Sequence, residues 1–297
     1  MKRVTHTSAH CAEQASNAIA SNRHHDLRNA PNHALRKLFS LPPIPTGQST
    51  ALVELELPPK KVVTGNDEID VLLWLREVIK TGQSEFIAKA LLAAKRLKTP
   101  LKELEARYRD YLVAKNPGNF MAAFDTIGFA DLESLAQDSI NTLTRQHEAM
   151  ARFGSIDNLY SDTPAEQFCM EAMAGLKRPK DLGDFNEKQE DARFMARPDL
   201  VPHTLSDCLV ELAYWHDLYT LREAVGSYPG DPGPQAYARE CFTYRRLAHI
   251  RPQNRDEAVA VFLYVKELDR MTETETEDIL LNLIGHAACA KTCRNQE

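Results

Sequence analysis

The sequence predicts an all-α fold, and three observations support that prediction. Glycine is scarce, with 12 residues in a chain of 297, whereas alanine, leucine, glutamate, lysine and arginine recur throughout. These straight-chain residues lose little rotamer freedom in a helix, so their abundance favours helix over strand. From Asn66 onward, apolar residues repeat at helical spacing, and capping residues precede many of the runs. We expect about eight to ten helices in an irregular multi-helix bundle or a two-lobed array.

The first 60 residues are predicted to form a polar, basic and disordered tail. Six lysines and arginines stand against Glu13 and Asp26 in residues 1–40, although the whole chain carries a net charge of -6. The run Ala51–Leu57 alternates between apolar residues and glutamate, which is the pattern of a short strand. Because a lone strand must pair with something, we expect an extended arm there, laid on the body or on a partner.

Five helices are predicted to follow the tail, each bounded by a recognisable start or stop. Thr99 and Pro100 form an N-cap followed by proline at the first helical position, where its missing N–H costs nothing. Gly82 and Gly128 end two of the other runs. The predicted ranges are 67–80, 84–98, 100–115, 120–127 and 131–153.

The second half of the chain shows three capping boxes, in which a side-chain oxygen and a glutamate three residues on satisfy free N–H groups reciprocally. They begin at Thr163, Asn254 and Thr272, and a weaker version joins Thr204 to Asp207. The helices predicted in this half cover residues 164–174, 205–225, 235–249, 255–271 and 273–294, with a marginal helix near 187–195.

A polar, charged stretch at residues 176–202 separates these two sets of helices. We therefore predict an N-terminal helical lobe over residues 61–180 and a C-terminal lobe over residues 181–297.

Composition and motifs exclude several classes of protein. No apolar run reaches the roughly 18–20 residues needed to span a bilayer, and the N-terminus lacks the apolar region of a secretory signal. The six cysteines are sparse and include no Cys-x-x-Cys pair, so they do not indicate a disulfide framework. We expect a cytoplasmic protein without membrane partners.

Catalytic signatures are missing from the sequence. There is no nucleotide-binding loop, serine-hydrolase elbow, zinc-protease helix or EF-hand loop. An enzyme would need residues drawn together from distant segments, so the sequence favours a non-enzymatic protein and leaves the question open.

The last predicted helix carries the sharpest metal-binding pattern. His286, Cys289 and Cys293 are spaced by three and four residues, which places them on one helical face. One imidazole and two thiolates suit zinc, with Cys241 or His249 as a fourth ligand. The alternative is that these cysteines are small buried apolar residues. Zinc is the only cofactor that the sequence suggests.

The predicted helix over residues 205–225 offers a second candidate site. Asp207 and Glu211 lie one turn apart, close to His203, and such a group could bind a cation or transfer protons. The simpler interpretation is that leucines and Trp215 form the buried stripe of this helix while the carboxylates face water.

A basic helical hairpin over residues 85–115 is the third candidate. Eight lysines and arginines stand there against four acidic residues, and its two helices meet across Leu97–Pro100, as in a helix-turn-helix. An ordinary helical hairpin with a solvated charged face is the alternative. A basic and aromatic patch around residues 244–251 could extend a nucleic-acid surface. The candidate nucleic-acid contacts are Lys95, Arg96, Lys98, Lys102, Arg109, Arg245 and Arg246.

These observations favour a non-enzymatic helical interaction or regulatory protein that binds another macromolecule, with a protein as the expected partner. One alternative is a DNA- or RNA-binding regulator that uses the 85–115 hairpin. The other is a metal-dependent enzyme or metal-stabilised protein that uses His286, Cys289 and Cys293.

Overall fold

The computed structural model of the chain describes residues 30–45, 56–178, 185–226, 232–267 and 275–285. Within these ranges the ordered backbone is helical and forms no strand, which confirms the all-α prediction. The α-helices are α1 (His33–Leu38), α2 (Asp67–Ile79), α3 (Ser84–Ala94), α4 (Leu101–Lys115), α5 (Leu132–Phe153), α6 (Ile156–Tyr160), α7 (Pro164–Ala172), α8 (Glu187–Met195), α9 (Leu205–Val225), α10 (Pro234–Arg246), α11 (Arg255–Glu267) and α12 (Thr276–Leu283). Two 3-10 helices cover Phe120–Thr126 and Pro198–Leu200. None of the described helices is both long enough and apolar enough to cross a membrane.

Two of the predicted helix caps form completely, and a third forms in part. Thr163 and Glu166 form the complete capping box, because the Thr163 N–H donates to the Glu166 carboxylate at 2.8 Å and the Glu166 N–H donates to the Thr163 hydroxyl at 3.2 Å. Thr204 and Asp207 exchange the same two bonds. The box at Asn254 is half formed. The Asn254 side chain accepts a bond from the Glu257 N–H, but the Glu257 carboxylate accepts from the N–H groups of Ser206 and Gln253 instead of Asn254. Thr272 lies outside the described residues.

The start of α4 differs from its prediction. The helix begins at Leu101 with Pro100 as the N-cap residue, and no side chain caps it. The Thr99 hydroxyl, predicted to be the cap, instead donates to the Glu68 carboxylate of α2 at 2.6 Å. A tertiary hydrogen bond has replaced the local one.

The predicted disordered tail is wrong for residues 32–39. Asn32 caps α1 by accepting a bond from the Leu35 N–H, and Leu35 and Phe39 are almost completely buried. The apolar pair at positions 35 and 39 lies one helical turn apart, so both side chains enter the same core.

The predicted extended arm is not a strand where it is described. Residues 51–55 lie outside the described ranges, and Glu56 to Val62 form irregular coil. Pro58 and Pro59 have no backbone N–H to donate to a ladder. The Pro58 carbonyl accepts a 2.7 Å bond from the indole N–H of Trp74 on α2.

The chain divides into two compact units. The middle unit comprises Pro43–Leu159 and Thr220–Pro229, and the terminal unit comprises Met1–Pro42, Tyr160–Tyr219 and Gly230–Glu297. The first division therefore falls between residues 159 and 160, and residues near the N-terminus join the C-terminal half. This arrangement differs from the two consecutive lobes that the sequence predicted.

The middle unit is built around α2, which packs against α3, α4 and α5. Gly82 makes the α2–α3 turn at φ 72, where a Cβ atom would lie only 2.7 Å from the Leu143 Cβ and the Ser139 carbonyl of α5. Only glycine fits both the left-handed backbone and this close approach. The fully buried apolar side chains at the centre of the unit include Leu72, Ile79 and Leu104.

The terminal unit places α10 against α7 and α8, and α11 against α12. Helix α9 contributes residues up to Tyr219 to this unit. Its core includes the buried Leu205, Leu247 and Val261 together with Trp215, which is fully buried.

Candidate interaction surface on the α3–α4 hairpin

Helices α3 and α4 form the predicted basic hairpin, joined by a turn over residues 95–100. All five candidate contacts in this hairpin are exposed. Two other cations of the hairpin are neutralised within it, because Lys89 pairs with Glu85 and Arg107 pairs with Glu103, each at 2.6 Å. Lys102 lies 3.9 Å from a carboxylate oxygen of α4.

The cations of the turn are arranged differently. Lys95, Arg96 and Lys98 make no ion pair within the part of the chain that the structure describes, and neither does Arg109 on α4. We call Lys95, Arg96 and Lys98 the basic turn. Three unpaired charges within four residues leave a local positive field that a ligand can meet.

Glu68 of α2 holds the basic turn in place. Its carboxylate accepts bonds from the Lys98 N–H at 2.8 Å, the Thr99 N–H at 3.3 Å and the Thr99 hydroxyl at 2.6 Å. These bonds lower the pKa of Glu68, with the Thr99 hydroxyl as the largest cause. The sequence gives no sign of this contact, because Glu68 and Thr99 are separated by 31 positions.

A pocket of about 280 Å³ opens beside the basic turn. Most of its wall is apolar, whereas Lys95, Thr99 and Glu133 supply the polar groups. The other lining residues are Leu91, Ala94, Leu97, Pro100, Leu101 and Leu132. The lining therefore combines apolar side chains with one basic residue, Lys95, and one acidic residue, Glu133. Sequence reasoning identified the charges but missed the pocket, because Leu132 comes from α5.

The exposed face of α4 carries charges of both signs. Glu103 and Asp110 are exposed beside Arg107 and Arg109. A helix that reads DNA presents a mainly positive face to the phosphates. The exposed face of α4 is not uniformly positive in this way.

Arg245 and Arg246, the two predicted contacts outside the hairpin, belong to the terminal unit. Arg245 is largely buried and lies near three carboxylates of α8, the closest at 2.6 Å from Asp191 and the next at 3.1 Å from Glu190. The Nε atom of Arg246 is buried and has no hydrogen-bond partner among the described residues. Arg245 is therefore engaged within its own unit.

His286, Cys289 and Cys293 lie outside the described residues, so the zinc site stays a prediction. Helix α12 ends at Leu283, and Gly285 follows at φ 87. Across the described ranges, no three histidine, cysteine, aspartate or glutamate side chains are grouped to hold a metal ion.

Asp207 and Glu211 of α9 are fully buried, contrary to the interpretation that they face water. Glu211 accepts bonds from Arg239 Nε at 2.6 Å and Arg239 Nη2 at 2.8 Å, and a third from the Thr243 hydroxyl at 2.7 Å. Asp207 accepts bonds from the His203 and Thr204 N–H groups, among others. These donors occupy both carboxylates, which argues against the alternative of cation binding or proton transfer.

Cys169 and Cys208 are buried free thiols of the terminal unit. Burial raises the pKa of the Cys169 and Cys208 thiols well above the usual range. Since the thiolate is the reactive form, neither residue is suited to be a nucleophile at neutral pH.

Comparison of the chain with protein-family models, curated proteins and solved structures finds no match. The chemistry of the surface is therefore the basis for assigning a function.

Proposed function

We propose that this chain is a non-enzymatic, cytoplasmic interaction or regulatory protein that binds an acidic protein partner through the α3–α4 hairpin. The observation that supports the proposal is the apolar pocket of about 280 Å³ beside three unpaired cations of the basic turn. A partner segment that places an apolar side chain between carboxylates would match both features.

Charge distribution favours a protein over a nucleic acid as the partner. The exposed Glu103 and Asp110 of α4 would repel phosphates on either side of Arg107, and the whole chain carries a net charge of -6. A peptide segment needs only a local match of charge and shape, which the basic turn and pocket supply.

A fluorescence-anisotropy titration tests this proposal. The probe is a labelled helical peptide rich in glutamate and leucine, compared with a matched peptide in which serine replaces leucine. A labelled DNA duplex serves as the competing polyanion. Each titration is run at about 50 and about 200 mM salt.

The protein variant is Lys95→Glu, Arg96→Glu, Lys98→Glu. Its matched control reverses three exposed cations of the terminal unit, Lys188→Glu, Arg193→Glu and Lys266→Glu. We expect the glutamate–leucine peptide to bind the native chain and the control variant, and to lose about tenfold or more in affinity for the basic-turn variant.

Loss of binding when serine replaces leucine would link the affinity to the pocket as well as to the charges. Failure of the glutamate–leucine peptide to bind, or equal weakening by the control variant, would refute the proposal. Tighter, strongly salt-dependent binding of the DNA duplex would replace the protein partner with a nucleic acid.

A further inference from the structure

Residues 30–42 reach the terminal unit by an indirect route along the chain. They belong to that unit, but the chain then forms the middle unit from Pro43 to Leu159 before it returns at Tyr160. Non-covalent contacts therefore hold these residues to the rest of the terminal unit, as they hold a bound peptide. We call residues 32–39 the anchor segment.

The anchor segment inserts two apolar side chains into an aromatic core. Leu35 and Phe39 are 0% and 2% exposed. The Phe39 ring meets Trp215 edge-on with centroids 5.6 Å apart, and Tyr214 in the same way at 5.7 Å. The guanidinium carbon of the buried Arg239 lies 5.3 Å from the centroid of the Phe39 ring. Such cation–π contacts are strong where water is excluded.

Polar contacts also fix the position of the anchor segment in the terminal unit. The Asn32 N–H donates to both oxygens of the fully buried Asp207 carboxylate, at 3.1 and 3.2 Å. The Asn32 side-chain amide donates to the Asp199 and Val201 carbonyls at 3.0 and 2.9 Å. Arg36 Nε donates to Asp207 at 2.7 Å. Asn32 and Arg36 thus supply donors to the buried Asp207 carboxylate beside the His203 and Thr204 N–H groups.

The four contact positions form a single helical face. Asn32, Leu35, Arg36 and Phe39 are spaced as i, i+3, i+4 and i+7, whereas Lys37 between them is exposed. Helix α1 has only six residues, far fewer than the 12–15 or so that an isolated helix needs in water. Contacts with the rest of the terminal unit therefore impose the helical conformation, as they would on a peptide that folds when it binds.

We propose that the terminal unit contains a docking groove for a short helical segment of the pattern Asn-x-x-Leu-Arg-x-x-Phe. Residues 32–39 occupy this groove as an intramolecular ligand, and a partner segment with the same chemistry displaces them. The proposal does not depend on the α3–α4 surface, because that surface belongs to the middle unit and different variants test it.

A peptide-exchange experiment with the full-length chain tests the groove. The probe is a fluorescent peptide of residues 30–42. The native chain keeps the groove occupied, so the apparent affinity for the probe is reduced by the fraction of open molecules. The variant Arg36→Glu places a carboxylate against Asp207 and loosens the anchor segment. Lys37→Glu makes the same charge change on the exposed side and is the control.

We expect the probe to bind the Arg36→Glu chain about tenfold or more tightly than it binds the native and Lys37→Glu chains. A probe that itself carries Phe39→Ala should lose this binding, whereas a probe with Lys37→Glu should retain it. Equal binding to all three chains, or no binding to an Arg36→Glu chain that keeps its helical circular dichroism, would overturn the proposal.

Hydrogen exchange on the native chain tests the same proposal without any substitution. The Arg36 and Phe39 amides donate to the carbonyls of Asn32 and Leu35. If the segment detaches, these two amides exchange by local opening, faster than the amides of α9 and α10. Exchange as slow as that of the α9 core would show that the segment leaves only on global unfolding, and would reject the proposal even if Arg36→Glu failed to fold.

Discussion

Arg239 is a buried cation of the terminal unit. Its side chain is fully buried, and its guanidinium carbon lies 4.9 to 5.5 Å from the ring centroids of four phenylalanines. Glu211, also fully buried, neutralises the charge through two bonds, and the Leu200 carbonyl accepts a third at 2.7 Å. One further nitrogen, Nη1, has no hydrogen-bond partner among the described residues. The phenylalanine rings supply the remaining attraction for the cation.

Removing Arg239 alone should lower the free energy of unfolding more than removing both Arg239 and Glu211. We expect Arg239→Ala to lower the free energy of unfolding by about 3–5 kcal/mol, because Glu211 would be left as a buried unpaired charge. The double variant Arg239→Met, Glu211→Leu should recover most of that loss, since no charge remains to be buried. Urea denaturation measures the free energy of unfolding of both variants. Trp215 fluorescence reports the unfolding, in a Trp74→Phe background that removes the signal of the other tryptophan.

An exposed ion pair provides the control for this comparison. Arg107 and Glu103 lie 2.6 Å apart, but their side chains are 47% and 52% exposed. Arg107→Ala should therefore cost no more than about 1 kcal/mol. A double variant at Arg239 and Glu211 that is less stable than Arg239→Ala would contradict the argument.

At the scale of elements, the α3–α4 turn depends on a side chain from a third helix. Pro100 provides no side-chain cap for α4, so Glu68 of α2 orders the backbone at Lys98 and Thr99 instead. The backbone of the basic turn is therefore held by a tertiary contact.

Protonation of Glu68 should release the turn. Its pKa is lowered from the ordinary value of 4.5, so the ionised form is the one that the fold stabilises. This contribution is complete above pH 4.5 and is lost as the pH falls through the lowered pKa. We expect the amide ¹H–¹⁵N shifts of Lys98 and Thr99 to change in that acid range.

Substitutions separate this effect from general acid unfolding. Glu68→Gln should shift the Lys98 and Thr99 amide signals at neutral pH, because a neutral amide is a weaker acceptor. Glu85→Gln is the control, since Glu85 bonds to Lys89 within α3 and does not contact the turn. Unchanged Lys98 and Thr99 signals in the Glu68→Gln variant would show that the turn holds without this carboxylate.

For the whole molecule, net charge predicts colloidal behaviour. The chain carries a net charge of -6 at pH 7 and has a sequence isoelectric point of about 6.0. Repulsion between molecules vanishes near that pH, so we expect a solubility minimum there. Polyethylene-glycol precipitation between about pH 5 and pH 8 measures it.

The basic-turn variant provides an internal test of this expectation. Lys95→Glu, Arg96→Glu, Lys98→Glu removes three positive charges and adds three negative ones, so its minimum should move to lower pH. An unchanged minimum, or solubility that does not dip near pH 6.0, would show that surface patches dominate over net charge.

The sequence by itself determined the fold class and most helix bounds. Helix α9 covers the predicted range, from Leu205 to Val225, and the box at Thr163 formed as expected. These features depend on side-chain spacing and on hydrogen bonds between residues three or four positions apart, which a sequence displays directly. The cations of the α3–α4 hairpin were also identified from the sequence, whereas their exposure is decided by the structure.

Only the tertiary structure decided what those elements do with one another. The partner of Glu211 is Arg239, 28 positions away, and the partner of Asn32 is Asp207, 175 positions away. The pocket beside the basic turn likewise needs Leu132 from α5. Burial and long-range pairing depend on which helix faces pack together. The spacing of residues within one helix does not say which residues of another helix will contact it. The anchor segment was predicted to be disordered because the tail around it is polar, yet a core that lies more than a hundred residues further along the chain orders it. Its helix is too short to be stable alone, so this long-range contact determines its conformation.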